Sequence, residues 1–182
     1  MAALRVPVGP EDHIQGDADA PVTLVEYGDY ECPHCGRAYA IIKLVQKHFG
    51  KRLRFVFRNF PLNETHPHAE SAAETAEFAG THRKFWEMHD LLFENQDQLG
   101  GSLYLEGATG LGLDGHALLK ALETREYEAR VRADFSGGVR SGVNGTPTFF
   151  INSKRHDAPF DYEDLVAAVD AELAHHARVA GA

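Results

Sequence analysis

A chain of 182 residues with 43% hydrophobic and 25% charged residues has material for one full core, or for one compact domain with a sizeable insertion, and is neither disordered nor fibrous in composition. A formal net charge of −9 argues against a broad phosphate-binding face, so nucleic acid is not an expected partner. No run approaches the ~20 apolar residues of a membrane helix, and residues 1–12 lack the apolar stretch of a secretory signal. As written, the sequence predicts a cytoplasmic protein, periplasmic or extracytoplasmic if a signal has been removed.

Residues 1–20 carry scattered acids, two early prolines and Gly16 without a sustained period, and read as an irregular arm. Val22 to Tyr27 is short, apolar and β-branched, as a buried strand should be. Glu26 interrupts it. It is either a surface carboxylate at the outer end of the strand or a buried one placed for proton transfer.

The only two cysteines follow in Glu31-Cys32-Pro33-His34-Cys35-Gly36. Cys35, Tyr39, Ile42, Val45 and Phe49 fall at helical spacing and Gly50 suits a C-terminal cap, so the motif opens a helix. A cysteine at that end lies beside unpaired backbone N–H groups and the positive pole of the helix, both of which stabilise a thiolate. Pro33 suits the first turn, where its missing N–H has no intrahelical partner. An imidazole at His34 can donate to the Cys32 thiolate or, when protonated, pair with it. Two other readings of the pair stay open. A zinc site needs a second close pair of ligands, for which His66-x-His68 is a poor substitute, and a structural disulfide across so short a loop would stabilise far less than the ~3 kcal/mol of a 15-residue loop.

Leu53 to Phe60 alternates as a second strand, stopped by Pro61, and the strand-helix-strand order predicts a parallel pair. From Leu62 to Gly142 only helical patterns appear. They are an alanine stripe from Ala69 to Ala79, a stripe of Phe85, His89, Leu92 and Phe93, a weaker stretch from Leu103 to Leu111, a helix capped by Asp114, and one from about Arg125 to Arg140 with Tyr127, Val131 and Phe135 on its apolar line. Trp86 and Met88 read as core, and the histidines at 66, 68, 82 and 89 as solvated or packing residues. Thr148 to Ile151 and a polar return, Lys154 to Asp157, make two further strands. A last helix starts near Asp161, with Tyr162, Leu165, Val169 and Leu173 on one face, and residues 176–182 read as a fraying tail.

Val143-Asn144-Gly145-Thr146-Pro147-Thr148 puts a proline directly before a strand, and the Thr146–Pro147 bond is a candidate for cis. Taken with Val22-Thr23-Leu24-Val25-Glu26-Tyr27, with Cys32-Pro33-His34-Cys35, and with Gly145-Thr146-Pro147-Thr148-Phe149-Phe150-Ile151-Asn152, the chain from about Pro21 to Leu173 resembles the DsbA-like thiol-disulfide oxidoreductases. The resemblance implies an α/β, thioredoxin-like fold with an inserted all-helical subdomain. Its parts would be an arm at 1–20, a discontinuous thioredoxin-like domain at 21–61 and 143–175, the insertion at 62–142 and a tail at 176–182. It implies an exposed nucleophile at Cys32, a buried resolving thiol at Cys35, proton transfer at Glu26, and substrate binding at Pro33 and at a cis Thr146–Pro147. No cofactor or metal is implied. The implied partners are protein thiols and disulfides and a redox partner, with no oligomeric state set. A cytoplasmic reductase of one acceptor, and a peptide-binding or chaperone-like module with regulatory cysteines, are the alternative functions.

Overall fold

The computed structural model describes residues 3–181. They form two compact units. The first comprises the chain up to Tyr27, Arg37–Arg58 and the chain from Gly137 onward; the second comprises Gly28–Gly36 and Asn59–Ser136.

The first unit is built on a five-stranded sheet. Its strands are β1 (His13–Gly16), β2 (Val22–Gly28), β3 (Leu53–Asn59), β4 (Thr148–Ile151) and β5 (Lys154–His156), in the order β1-β3-β2-β4-β5. β1 runs antiparallel to β3, and β4 antiparallel to both β2 and β5. From Leu24 onward every residue of β2 is buried, so both faces of the central strand are covered, which is why its sequence shows an apolar run instead of an alternation. Helix α1 (Pro33–Phe49) begins in the second unit and carries the chain into the first, and α7 (Tyr162–Ala180) packs on β4 through buried Leu165 and Val169.

Three expectations change here. The arm at 1–20 contains β1, which aligns His13 to Gly16 with Phe57 to Arg54. Gly16 ends it at φ +112°, and a Cβ there would stand 2.8 Å from the Leu53 carbonyl oxygen, so only glycine fits. On α1 the buried line is Cys35, Ala38, Ile42, Val45 and Phe49, while Tyr39 is half-buried beneath the Lys43 ammonium. The last helix runs on to Ala180, through the stretch read as a fraying tail.

One side chain gathers the arm at Val6, Pro7 and Asp12. Buried Arg58 donates through Nε and Nη2 to both Asp12 oxygens at 2.7 and 2.8 Å, through Nη1 to the Val6 carbonyl and the Tyr27 hydroxyl at 2.9 Å, and through Nη2 to the Pro7 carbonyl at 3.1 Å. All five guanidinium N–H groups are thereby used. Burial works against the cation, but the bonds to Asp12 and Tyr27 outweigh it and raise the Arg58 pKa above its usual value.

The second unit holds α2 (Ala69–Thr81), α3 (Phe85–Glu94), α4 (Gly101–Gly110) and α5 (Gly115–Thr124), together with α6 (Glu128–Arg140), whose last turn reaches into the first unit. Buried alanines of α2 allow close packing against α3 and α5. Asp114 caps α5 by accepting from the His116 and Ala117 N–H groups at 2.9 and 3.1 Å, as its position in the sequence predicts. Met88 is buried as expected; Trp86 is half-buried, edge-on to Phe85 and His89.

Replacing Arg58 by methionine removes these five bonds and leaves the Asp12 carboxylate without its cation, so we expect a loss of ~3–5 kcal/mol in urea unfolding. Arg58→Lys should recover only part of it, because an ammonium cannot span the same acceptors. A loss under ~1 kcal/mol would show that the arm is held by something else.

Candidate active site

The Cys-x-x-Cys loop belongs to the helical unit, and its geometry starts at the end of β2. Phe60 N–H donates to the Gly28 carbonyl at 2.8 Å, and the chain then turns through Asp29, Tyr30 and Glu31 into α1. Cys32 N–H donates to the Asp29 carbonyl at 3.1 Å, and Gly36 N–H donates to the Cys32 carbonyl at 3.1 Å, which makes Cys32 the N-cap of α1 and Pro33 its first helical residue. No acidic residue lies in that first turn to neutralise the positive end of the helix.

Asp29 organises the loop. Its carboxylate is buried; Oδ1 accepts from Glu31 N–H at 2.8 Å, and Oδ2 accepts from Leu62 N–H at 2.9 Å and bonds His66 Nδ1 at 2.8 Å. Its backbone N–H points at the Cys35 sulfur, 3.4 Å away. Burial alone would lower His66, but the bond and the charge of Asp29, with smaller effects of Cys32 and Glu31, raise it above the ordinary histidine value. The Glu31 carboxylate accepts from His68 N–H at 2.6 Å, which ties the loop to the start of α2.

Two more residues fasten the loop. Tyr30 is buried against α3, with its hydroxyl 3.0 Å from His89 Nδ1 and its ring 4.8 Å from that of Phe93. Gln96, in the connection from α3 to α4, donates its amide to the Tyr30 carbonyl at 2.7 Å and to the Cys32 carbonyl at 3.0 Å. The same side chain explains Gly36, since a Cβ there would stand 2.1 Å from Gln96 Oε1.

The sulfurs differ in access. Cys32 is 4% exposed and Cys35 0%, so the expectation of an exposed nucleophile is corrected to one that is nearly buried, though still the more accessible of the two. Pro33 and His34 are exposed. Of the other expected site residues, Glu26 lies on β2 in the sheet unit, 2% exposed and in register with Phe149, which excludes the surface reading. The Thr146–Pro147 bond is cis and stands in the same unit directly before β4. His66 bonds Asp29, while His68 is exposed. Among the described residues no group of three or more His, Cys, Asp or Glu could hold a metal ion.

Residues 9–171 match a protein-family model described as Thioredoxin. The chain belongs to the thioredoxin family. Within that family, its structural neighbours are the DsbA-like thiol-disulfide oxidoreductases. Oxidised BdbD from Bacillus subtilis superposes with a TM-score of 0.86 at 26% identity, covering 94% of this chain and 98% of that one. A thioredoxin-like oxidoreductase from Silicibacter pomeroyi DSS-3 superposes with a TM-score of 0.78 at 27% identity, covering 90% and 92%. Wolbachia pipientis alpha-DsbA1, at 18% identity and a TM-score of 0.81 over 95% and 96% of the two chains, shares the fold. In sequence the chain is 44% identical to the Na(+)/H(+) antiporter NhaA 1 of Salinispora arenicola over 172 residues, 94% of this chain but only 26% of that protein. It thus spans about a quarter of the length of the curated relatives it matches. Among the described residues of this thioredoxin-family chain, no helix is long and apolar enough to cross a membrane.

Sequence reading missed Asp29, Gln96 and the engagement of His66. An aspartate directly after a strand end and three residues before a helix cap is a recognisable turn former. Nothing in the sequence marks Gln96, whose acceptors lie in a distant part of the chain.

Replacing a helical glycine by alanine ordinarily stabilises a helix by ~0.5–1 kcal/mol. At Gly36 the new methyl must push Gln96 off two carbonyls, so Gly36→Ala should instead destabilise by ~1–2 kcal/mol. In a Gln96→Ala background the same change should turn neutral or stabilising. Urea unfolding of the four proteins of this cycle tests the coupling, and equal effects of Gly36→Ala in both backgrounds would disprove it.

Proposed function

We propose that the chain is a thiol-disulfide oxidoreductase acting on protein thiols and disulfides through its Cys-Pro-His-Cys pair. One observation carries the reading: the only two cysteines of the chain stand in the first turn of one helix, Cys32 at its N-cap, with the Asp29 N–H aimed at the Cys35 sulfur. The oxidoreductase name of the Silicibacter pomeroyi relative supports the class of reaction. Antiport belongs to whole proteins of which this chain matches about a quarter, and it is not carried over.

In the reducing direction the Cys32 thiolate attacks a client disulfide, the S–S bond breaks, and one client sulfur leaves as a thiolate that takes up the Cys35 proton. Cys35 then attacks the Cys32 sulfur of the mixed disulfide and expels the second client thiolate. Two electrons have passed to the client, and the pair is left as a disulfide. The oxidising direction is the reverse. The other expected residues keep the roles that the family resemblance implies, proton transfer for Glu26 and client contacts for Pro33 and for the cis Thr146–Pro147 bond.

Cys32→Ser should abolish insulin reduction and dithiol oxidation, while Cys35→Ser should accumulate the mixed disulfide, visible on a non-reducing gel. Retained activity in Cys32→Ser would refute the reading.

His34 should make the couple more oxidising than a non-ionising residue in its place. Each unit by which the Cys32 titration falls is worth ~1.4 kcal/mol, or ~30 mV in a two-electron couple. His34→Gly should therefore move the thiolate titration of Cys32 upward and lower the reduction potential, by up to ~60 mV for a two-unit change. An unchanged thiolate titration in that variant would remove His34 from the mechanism.

A further inference from the structure

The segment between β3 and α2 brings a second imidazole to the redox loop. His66 Nδ1 is bonded at 2.8 Å to the Asp29 carboxylate, while the backbone of Asp29 donates to the Cys35 sulfur and accepts from the Cys32 N–H. One residue thus fixes the imidazole and the backbone around both cysteines in a single frame. Asp29 cannot swing away, because Leu62 and Glu31 also donate to its carboxylate. The His66 side chain is 16% exposed, enough for its proton to exchange with water.

Asp29, which holds the ring at 2.8 Å, favours its protonated form against the burial that opposes it, and the charges of Cys32 and Glu31 act in the same direction. Coupling between two titrating sites is reciprocal: whatever a thiolate at Cys32 does for the imidazolium, the imidazolium does for the thiolate.

We propose that His66 is a positioning residue of the redox pair: its imidazolium, held by Asp29, stabilises the Cys32 thiolate and releases its proton more readily once that thiolate has been consumed in a disulfide. The inference rests on Cys32 being the nucleophile. It also closes the proton balance. A dithiol form with Cys32 as thiolate, Cys35 as thiol and His66 as imidazolium carries two protons, and a reduced client needs two. Cys35 supplies one to the first departing client thiolate, and the proton that His66 gives up to solvent balances the one the second takes up. Oxidation of the pair by a client disulfide then leaves a protein disulfide, a neutral imidazole and two client thiols.

The direct test needs no substitution. The ring protons of His66 are followed by NMR across pH in the wild-type chain, once as dithiol and once as disulfide. The His66 midpoint should lie lower in the disulfide form by on the order of half a unit; the same midpoint in both forms would overturn the proposal. The second arm uses His66→Gln, which keeps a donor for Asp29 and removes the charge. The thiolate absorbance of Cys32 in this variant should titrate higher by a similar margin, and His66→Lys should bring it back towards wild type. An unchanged titration in folded His66→Gln would overturn the role, and if that variant does not fold, the wild-type NMR comparison decides. Insulin reduction by wild type and Cys32→Ser, measured first, tests the oxidoreductase reading separately: unchanged titrations in a protein whose exchange depends on Cys32 would remove only the role given to His66.

Discussion

The buried carboxylate of Asp29 is the constraint on which the rest of the redox loop depends. An ionised carboxylate without partners is among the costliest groups to take out of water, and the chain has to answer it with donors. The donors it finds come from three places: its own turn at Glu31, the chain leaving β3 at Leu62, and the ring of His66. Each charge-assisted bond contributes ~1.5–3 kcal/mol and also fixes a position. Because the same residue carries the backbone groups that meet Cys32 and Cys35, satisfying its charge sets the shape of the reactive turn.

Two opposed fields meet at that turn. The start of α1 offers the positive pole of a helix with no acidic residue in its first turn, and this favours a thiolate. Asp29 and Glu31 are negative and oppose one. Their effect is blunted because both are occupied: Glu31 accepts the first free N–H at the start of α2, and Asp29 is spread over two amides and an imidazole. The loop thus keeps rigid, hydrogen-bonding carboxylates close to its cysteines without leaving their charge unanswered. Gln96 completes the arrangement by satisfying the Tyr30 and Cys32 carbonyls, and a glycine at 36 is the condition for it to reach them.

The same logic of a buried charge answered by distant groups operates at Arg58 in the sheet unit. Arg58 reads from the sequence as one member of an alternating strand, yet its side chain is spent on Asp12, Val6, Pro7 and Tyr27. That bonding orders an arm whose own sequence has no period, and it accompanies a strand, β1, too short and too polar to announce itself.

What the sequence determined by itself is what depends on neighbours along the chain. The apolar run of β2, the helix opening at Cys32 and Pro33, the alanine stripe of α2, the Asp114 cap and a proline directly before β4 are all local patterns, and the structure carries each of them. Burial on both faces was readable in Val22 to Tyr27 because continuous apolar character needs cover on both sides, and this left Glu26 open as the one residue breaking it. What only the tertiary structure decided are the contacts between parts far apart in the chain: Asp29 with Leu62 and His66, Gln96 with the Cys32 carbonyl, Arg58 with Asp12, and β1 with β3. The burial of Cys32 belongs with them. A histidine, a glutamine or an arginine has no periodicity that betrays its partner. A polar side chain finds its acceptor by where the packed apolar faces have already carried it, and the cost of leaving a buried donor or carboxylate unsatisfied then makes that meeting obligatory.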